Sequence, residues 1–168
     1  QDEARFELLV DEALITGSID LLLKEDKTKN IDTAEVIDFK SMEMSDKLEE
    51  FDWREMSLQV QLYSRAAKEV IGENAETGYV HTLKDNNRVK VPVDELSVKN
   101  AISVIEWAVK GILKEDFPMR ACTANCKKCD YRAMCRQKRE EFKRKEQPPV
   151  INTPMGAQVI AAFEEDEL

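Results

Sequence analysis

Residues 17–41, GSIDLLLKEDKTKNIDTAEVIDFKS, hold two segments that read as strands, SIDLLL and AEVIDFKS, separated by a polar loop. Each is apolar enough for a core, yet each carries charge at its centre: Asp20 in the first, Asp38 and Lys40 in the second. Side chains on a strand alternate between faces. Ile37 and Phe39 are therefore expected to pack inward together, while Val36, Asp38 and Lys40 share the face toward a cleft. By the same rule Ile19, Leu21 and Leu23 face one way, and Ser18, Asp20 and Leu22 the other. If the two strands are hairpin neighbours, Asp20 and Asp38 stand side by side, and like charges directly opposed destabilise a sheet. Such a pair requires a cation. Lys40 is one candidate. A divalent metal is the stronger one, because two carboxylates and a backbone carbonyl make a hard-oxygen set of the kind Mg2+ prefers. The plainer alternative is a partly exposed Asp38–Lys40 ion pair with Asp20 at the surface.

The surrounding chain frames this puzzle. Its 168 residues point to one domain, and 42% apolar with 35% charged residues fits a soluble globular protein rather than a disordered one. No apolar run approaches the roughly 20 residues that span a bilayer. The first residues, QDEARFELLVDE, have neither a basic nor an apolar leader region, so a cytoplasmic protein without a membrane segment is expected. A start at Gln rather than Met suggests a piece of something longer. The net charge of −9 disfavours nonspecific nucleic-acid binding, but residues 126–145 carry nine Lys/Arg against three Asp/Glu. A basic segment on an acidic body can touch phosphate; a solvated helix face is the alternative.

The pattern of elements predicts an α/β (α+β) fold, a central mixed sheet flanked by helices with a C-terminal cysteine module. RFELLVDEALITG reads as an extended segment with a turn or kink near Asp11–Glu12, followed by strands in GSIDLLLKED and TAEVIDFKS. Leu58, Leu62, Ala66 and Val70 recur every four residues in a helix over 57–71, closed by Gly72. ETGYVHTL and RVKVPV form a hairpin around KDNN, and Asp94 caps a long helix from about 95 to 114. A basic helix to about Lys145 comes next, then QPPVINTP and an acidic end. The domain is expected to cover 1–146, with 147–168 a mobile acidic tail. Trp53 is a candidate for stacking on bases, Trp107 reads as packing, and His81 as an ordinary strand histidine. No G-x-x-x-x-G-K-[ST] loop is present, so no ATP motor is expected in this chain.

GSID, then EVIDFKS, then QVQLY in the following helix together resemble the PD-(D/E)XK nuclease superfamily, with its restriction-endonuclease-like core. More narrowly they resemble its RecB-type branch, which includes the nuclease domains of the RecB and AddB helicase-nucleases and the iron–sulfur exonucleases of CRISPR loci. The resemblance implies Asp20 and Asp38 as metal ligands with the backbone carbonyl of Phe39, and Lys40 as the group that orients the attacking water. It implies Gln59 and Tyr63, four residues apart on one helix face, as substrate-binding groups. The implied function is a Mg2+- or Mn2+-dependent DNA exonuclease in repair or recombination. It would act on single strands or duplex ends, free-standing or joined to a helicase module. The family's further acidic or histidine residue, on a helix ahead of the first strand, has no counterpart here. Glu7 and Glu12 lie in an extended segment and do not take that role. A catalytically impaired DNA-binding or docking module is therefore the alternative.

Cys122, Cys126, Cys129 and Cys135 fall within 14 residues as C-x3-C-x2-C-x5-C. In a reducing compartment clustered thiolates more often hold a metal than form disulfides. Cys126, Cys129 and Cys135 match the C-terminal triplet of the iron–sulfur branch, which implies a [4Fe–4S] cluster with Cys122 or a residue outside the chain as fourth ligand. Zn2+ is the alternative, since four thiolates also form its structural set. A zinc-stabilised interaction domain without nuclease chemistry is the third reading.

Overall fold

The computed structural model describes residues 2–24, 34–42, 50–117, 129–131, 134, 151–153 and 158–159. β1 (Asp2–Val10) and β2 (Ala13–Lys24) form an antiparallel hairpin turning at Asp11–Glu12. Asp11 has φ 52°, a left-handed conformation that a tight hairpin needs and that Asp tolerates better than most side chains. The expected kink is thus a full reversal. The strand boundary expected at Gly17 instead lies at this turn, and Gly17 falls within β2.

β3 (Ala34–Lys40) runs antiparallel to β2 and parallel to β4 (Ala75–Thr82), which pairs antiparallel with β5 (Asn87–Val91). The sheet order is β1-β2-β3-β4-β5. A parallel neighbour requires a long crossover. Here it runs through α1 (Glu50–Ala66), which lies across β3 and β4. This mixed sheet with helices is the architecture the sequence led to.

The helix starts earlier than the four-residue repeat suggested and presents a different face. Trp53, Met56, Val60, Tyr63 and Ala67 are buried toward the sheet, with Leu58 and Leu62 on the flank and Val70 45% exposed. A strict repeat of four drifts off the helix period of 3.6, and a π-turn at Ala67–Ile71 shifts the phase again before Gly72 ends the helix at φ 80°. Trp53 packs with Val60, Val80 and Val91 and is only 7% exposed, so it is not available to stack on bases.

Both faces of β3 are covered: Val36 and Ile37 are equally buried, so Val36 is a core residue rather than a cleft residue. On β2, Ile19 and Leu22 are both fully buried while Leu21 is half-buried and Leu23 exposed. The simple alternation fails there, and Ile19 and Leu22 join one buried cluster.

α2 (Glu95–Leu113) packs on α1 and β1 through Ala101, Ile102, Ile105 and Val109. Its cap, Asp94, accepts the Ser97 N–H at 3.0 Å and the Ser97 hydroxyl at 2.6 Å. These bonds hold the Asp94 carboxyl below its ordinary value, the hydroxyl contributing most. The same hydroxyl accepts Asn152 Nδ2 at 2.9 Å, and buried Gln61 on α1 donates to the carbonyls of Asn152 and Pro92. β6 (Ile151–Asn152), paired with β7 (Gln158–Val159), is thereby fastened across the two helices, with Ile151 and Thr153 buried. Residues 151–153 are seated in the domain, a correction to a tail beginning at 147. Among the described residues no helix is long and apolar enough to cross a membrane.

Cys129 and Tyr131 are exposed. Cys122, Cys126, Cys135, the expected basic helix to Lys145 and the acidic end 160–168 lie outside the described residues.

Asp94→Ala removes the cap and frees Ser97, so urea unfolding should show a loss of about 1–2 kcal/mol at neutral pH. Because the folded carboxyl titrates below the unfolded value of 3.8, the loss should persist above that pH and shrink as pH falls through the folded value. A Cβ at Gly78 would lie 2.5 Å from Val60 Cγ1 and 2.7 Å from Val93 Cγ1. Gly78→Ala should therefore cost about 1–3 kcal/mol in the same assay, the range of an overpacked core.

Candidate active site

The β2–β3 ladder runs from Lys24–Ala34 to Leu21–Ile37. One step further the same register would set Asp20 against Asp38, and there the ladder stops. The Phe39 N–H donates at 2.8 Å to Asp20 Oδ2, a side-chain acceptor. β3 continues alone against β4 as far as Lys40–Thr82. The two aspartates are thus brought together where the strands part, as the alternation argument required.

Asp38 is 1% exposed beneath α1, so its face is not the open cleft that was expected. The Lys40 ammonium lies 2.8 Å from its Oδ2. Beyond that ion pair, neither Asp38 oxygen accepts a well-formed hydrogen bond among the described residues. Burial raises the Asp38 carboxyl above its ordinary value; Lys40 opposes this and the charge of Asp20 adds to it.

Lys40 also donates at 2.7 Å to Gln59 Oε1, and Gln59 Nε2 donates at 2.7 Å to the Tyr63 hydroxyl. An ammonium can only donate, so Gln59 must turn its carbonyl oxygen to Lys40 and its amide nitrogen to Tyr63. Tyr63 is buried, and burial raises its hydroxyl further from ionisation; the charges of Asp20 and Asp38 add to the rise, and the Gln59 bond opposes it. Asp20, Asp38, Lys40, Gln59 and Tyr63 therefore form one connected set drawn from β2, β3 and α1.

Other sequence candidates lie elsewhere. Glu7 pairs with Thr16 on the exposed side of the hairpin, and Glu12 sits in its turn. His81, 5.4 Å from the Phe39 ring, pairs with Asn86 at 2.9 Å on the sheet face away from Asp38. Among the described residues no third His, Cys, Asp or Glu joins the two aspartates. One contact was not foreseen: the Phe6 ring meets Tyr63 edge-on at 5.9 Å. The signal was the alternation Ala4, Phe6, Leu8, Val10, which marks the inward side of β1.

The donor set fits a hard divalent cation. Two neighbouring carboxylates, one of them buried with both oxygens short of hydrogen bonds, are stabilised most by a cation placed between them.

The family model of the PD-(D/E)XK nuclease superfamily matches residues 1–136, and the chain belongs to that superfamily. Nucleases of this class typically use divalent metals such as Mg2+. Among solved structures, SSO0001 is similar at 17% identity and a TM-score of 0.45, over 80% of this chain and 59% of that one. An exonuclease candidate from Eubacterium rectale is similar at 12% identity and a TM-score of 0.48, over 87% of this chain and 53% of that one. The chain thus spans a little over half the length of these two structures. No curated protein matches it.

The folded protein binds the Asp38 proton more tightly than the unfolded chain, so stability falls as pH rises from 3.8 through the folded value. In metal-free protein Asp38→Asn should raise the melting temperature at neutral pH. That gain should fade as pH drops toward 3.8 and below, checked by thermal melts across pH.

Proposed function

We propose that this chain is the nuclease domain of a RecB-type, divalent-metal-dependent deoxyribonuclease acting as an exonuclease on DNA ends, free-standing or joined to a helicase. The observation that carries the reading is the pairing of Asp20 and Asp38 where β2 and β3 part, with Lys40 held between Asp38 and Gln59.

Asp20, Asp38 and the Phe39 carbonyl would hold Mg2+ or Mn2+. When bound, the ion polarises the scissile phosphate and lowers the pKa of a bound water. The remaining tasks fall to side chains. Lys40, its ammonium 2.8 Å from Asp38 Oδ2, presents positive charge where negative charge grows on the phosphate. Gln59 and Tyr63 restrict the rotation of its long side chain. In the reaction the water oxygen bonds to phosphorus, the bond from phosphorus to the leaving sugar oxygen breaks, and that oxygen takes up a proton.

A second reading, a DNA-binding module with impaired catalysis, is favoured by the absence of a third acidic or histidine group beside the aspartates among the described residues. For the four cysteines the proposal is a structural [4Fe–4S] cluster, with Zn2+ as the alternative. Visible absorbance and elemental analysis of the purified protein separate the two.

With Mg2+, the chain should shorten end-labelled DNA, and Asp20→Asn, Asp38→Asn and Lys40→Ala should each lower kcat by about 100–1000-fold. DNA binding without turnover would favour the second reading. Turnover that survives Asp38→Asn would overturn the site assignment.

A further inference from the structure

Tyr63 is held from behind by a residue of a different element. Phe6, in the middle of β1, is buried, and its ring meets the Tyr63 ring edge-on at 74°. Its cross-strand partner is Gly17. A Cβ on Gly17 would lie 2.7 Å from Phe6 Cζ and 3.0 Å from Cε1, so the ring lies directly over the glycine backbone. Gly17 has no positive φ that would call for glycine, and it sits on an extended strand where other residues are favoured. The space taken by the Phe6 ring is what a side chain at 17 would violate.

The geometry points to Phe6, seated over Gly17, as a positioning residue that fixes Lys40 through Tyr63 and Gln59. Each link has one arrangement. Phe6 limits the tilt of the Tyr63 ring, and the Tyr63 hydroxyl takes the Gln59 amide nitrogen. Gln59 then has its carbonyl oxygen turned to Lys40 Nζ. Losing the ring edge lets Tyr63 tilt and releases the amide, and Lys40 keeps only Asp38 as an anchor. The β1–β2 hairpin thereby reaches the reacting centre without touching it, and the glycine ahead of Asp20 serves the site by leaving room for a ring.

The inference rests on the nuclease reading, and its test separates the two. Phe6→Leu keeps an apolar side chain and loses the ring edge; Gly17→Ala, on an exposed position, displaces the ring from the other side. Val10→Ala removes core volume at the far end of β1 and serves as the control for lost stability. In Mg2+-supported cleavage of end-labelled DNA by the full chain, Phe6→Leu and Gly17→Ala should lower kcat about 10–100-fold with KM unchanged. Val10→Ala should keep the wild-type kcat. Equal kcat for Phe6→Leu and Val10→Ala overturns the inference while leaving the nuclease reading intact. Turnover indifferent to Asp38→Asn overturns the nuclease reading itself. Crystal structures of the variants decide the matter with or without turnover. Loss of the Lys40–Gln59 and Gln59–Tyr63 contacts in Phe6→Leu supports the inference, and their retention overturns it.

Discussion

A carboxylate taken out of water needs a charge or donors placed against it. At Asp38 the enclosing element is α1, and the Lys40 ammonium is the compensating charge within the chain. That compensation is incomplete: burial outweighs the lysine, and Asp20 on the next strand pushes the same way. The neighbourhood reads as an answer to this strain. β2 and β3 stop pairing at the two aspartates, the freed Phe39 N–H goes to Asp20, and α1 reaches down with Gln59 to hold the lysine. On the reading proposed above, a divalent ion would supply the charge that this site lacks.

The parallel step from β3 to β4 is what makes this enclosure possible. It forces a crossover, and the crossover is α1, so the helix that covers Asp38 also carries the glutamine and tyrosine that act on Lys40. Close packing fixes its height above the sheet: Val60 fills the space left by Gly78, and Tyr63 rests on Phe6. Strand β6 adds a clasp across the two helices through Gln61 and Ser97. Rigid support of this kind matters because reacting groups misplaced by about 1 Å can lose about two orders of magnitude in rate.

Much of the site was legible in the sequence because strand alternation is a local rule. It placed Asp20 beside Asp38, and helical spacing placed Gln59 with Tyr63, and the fold brings both pairs together. The cap at Asp94 and the glycine stop at Gly72 were equally local and equally readable. What the sequence hid depends on the third dimension. The cover over Val36 and Asp38 comes from a helix whose inward face, Trp53, Met56, Val60 and Tyr63, follows the 3.6-residue period rather than its leucine repeat. On β2 both Ile19 and Leu22 are buried, which strand alternation alone does not foresee. The role of Gly17 appears only once its partner across the hairpin is known to be Phe6. The docking of 151–153 depends on partners dozens of residues away, which no local pattern records.

The central claim is that Asp20 and Asp38 form a divalent-cation site completed from outside the chain. Titration of the protein with Mn2+, following the free ion by its paramagnetic resonance signal, tests this without any need for turnover. The account predicts saturable Mn2+ binding by the wild-type chain that Mg2+ displaces and that either Asp20→Asn or Asp38→Asn abolishes. Mn2+ binding of equal strength in the wild type and both variants would contradict it.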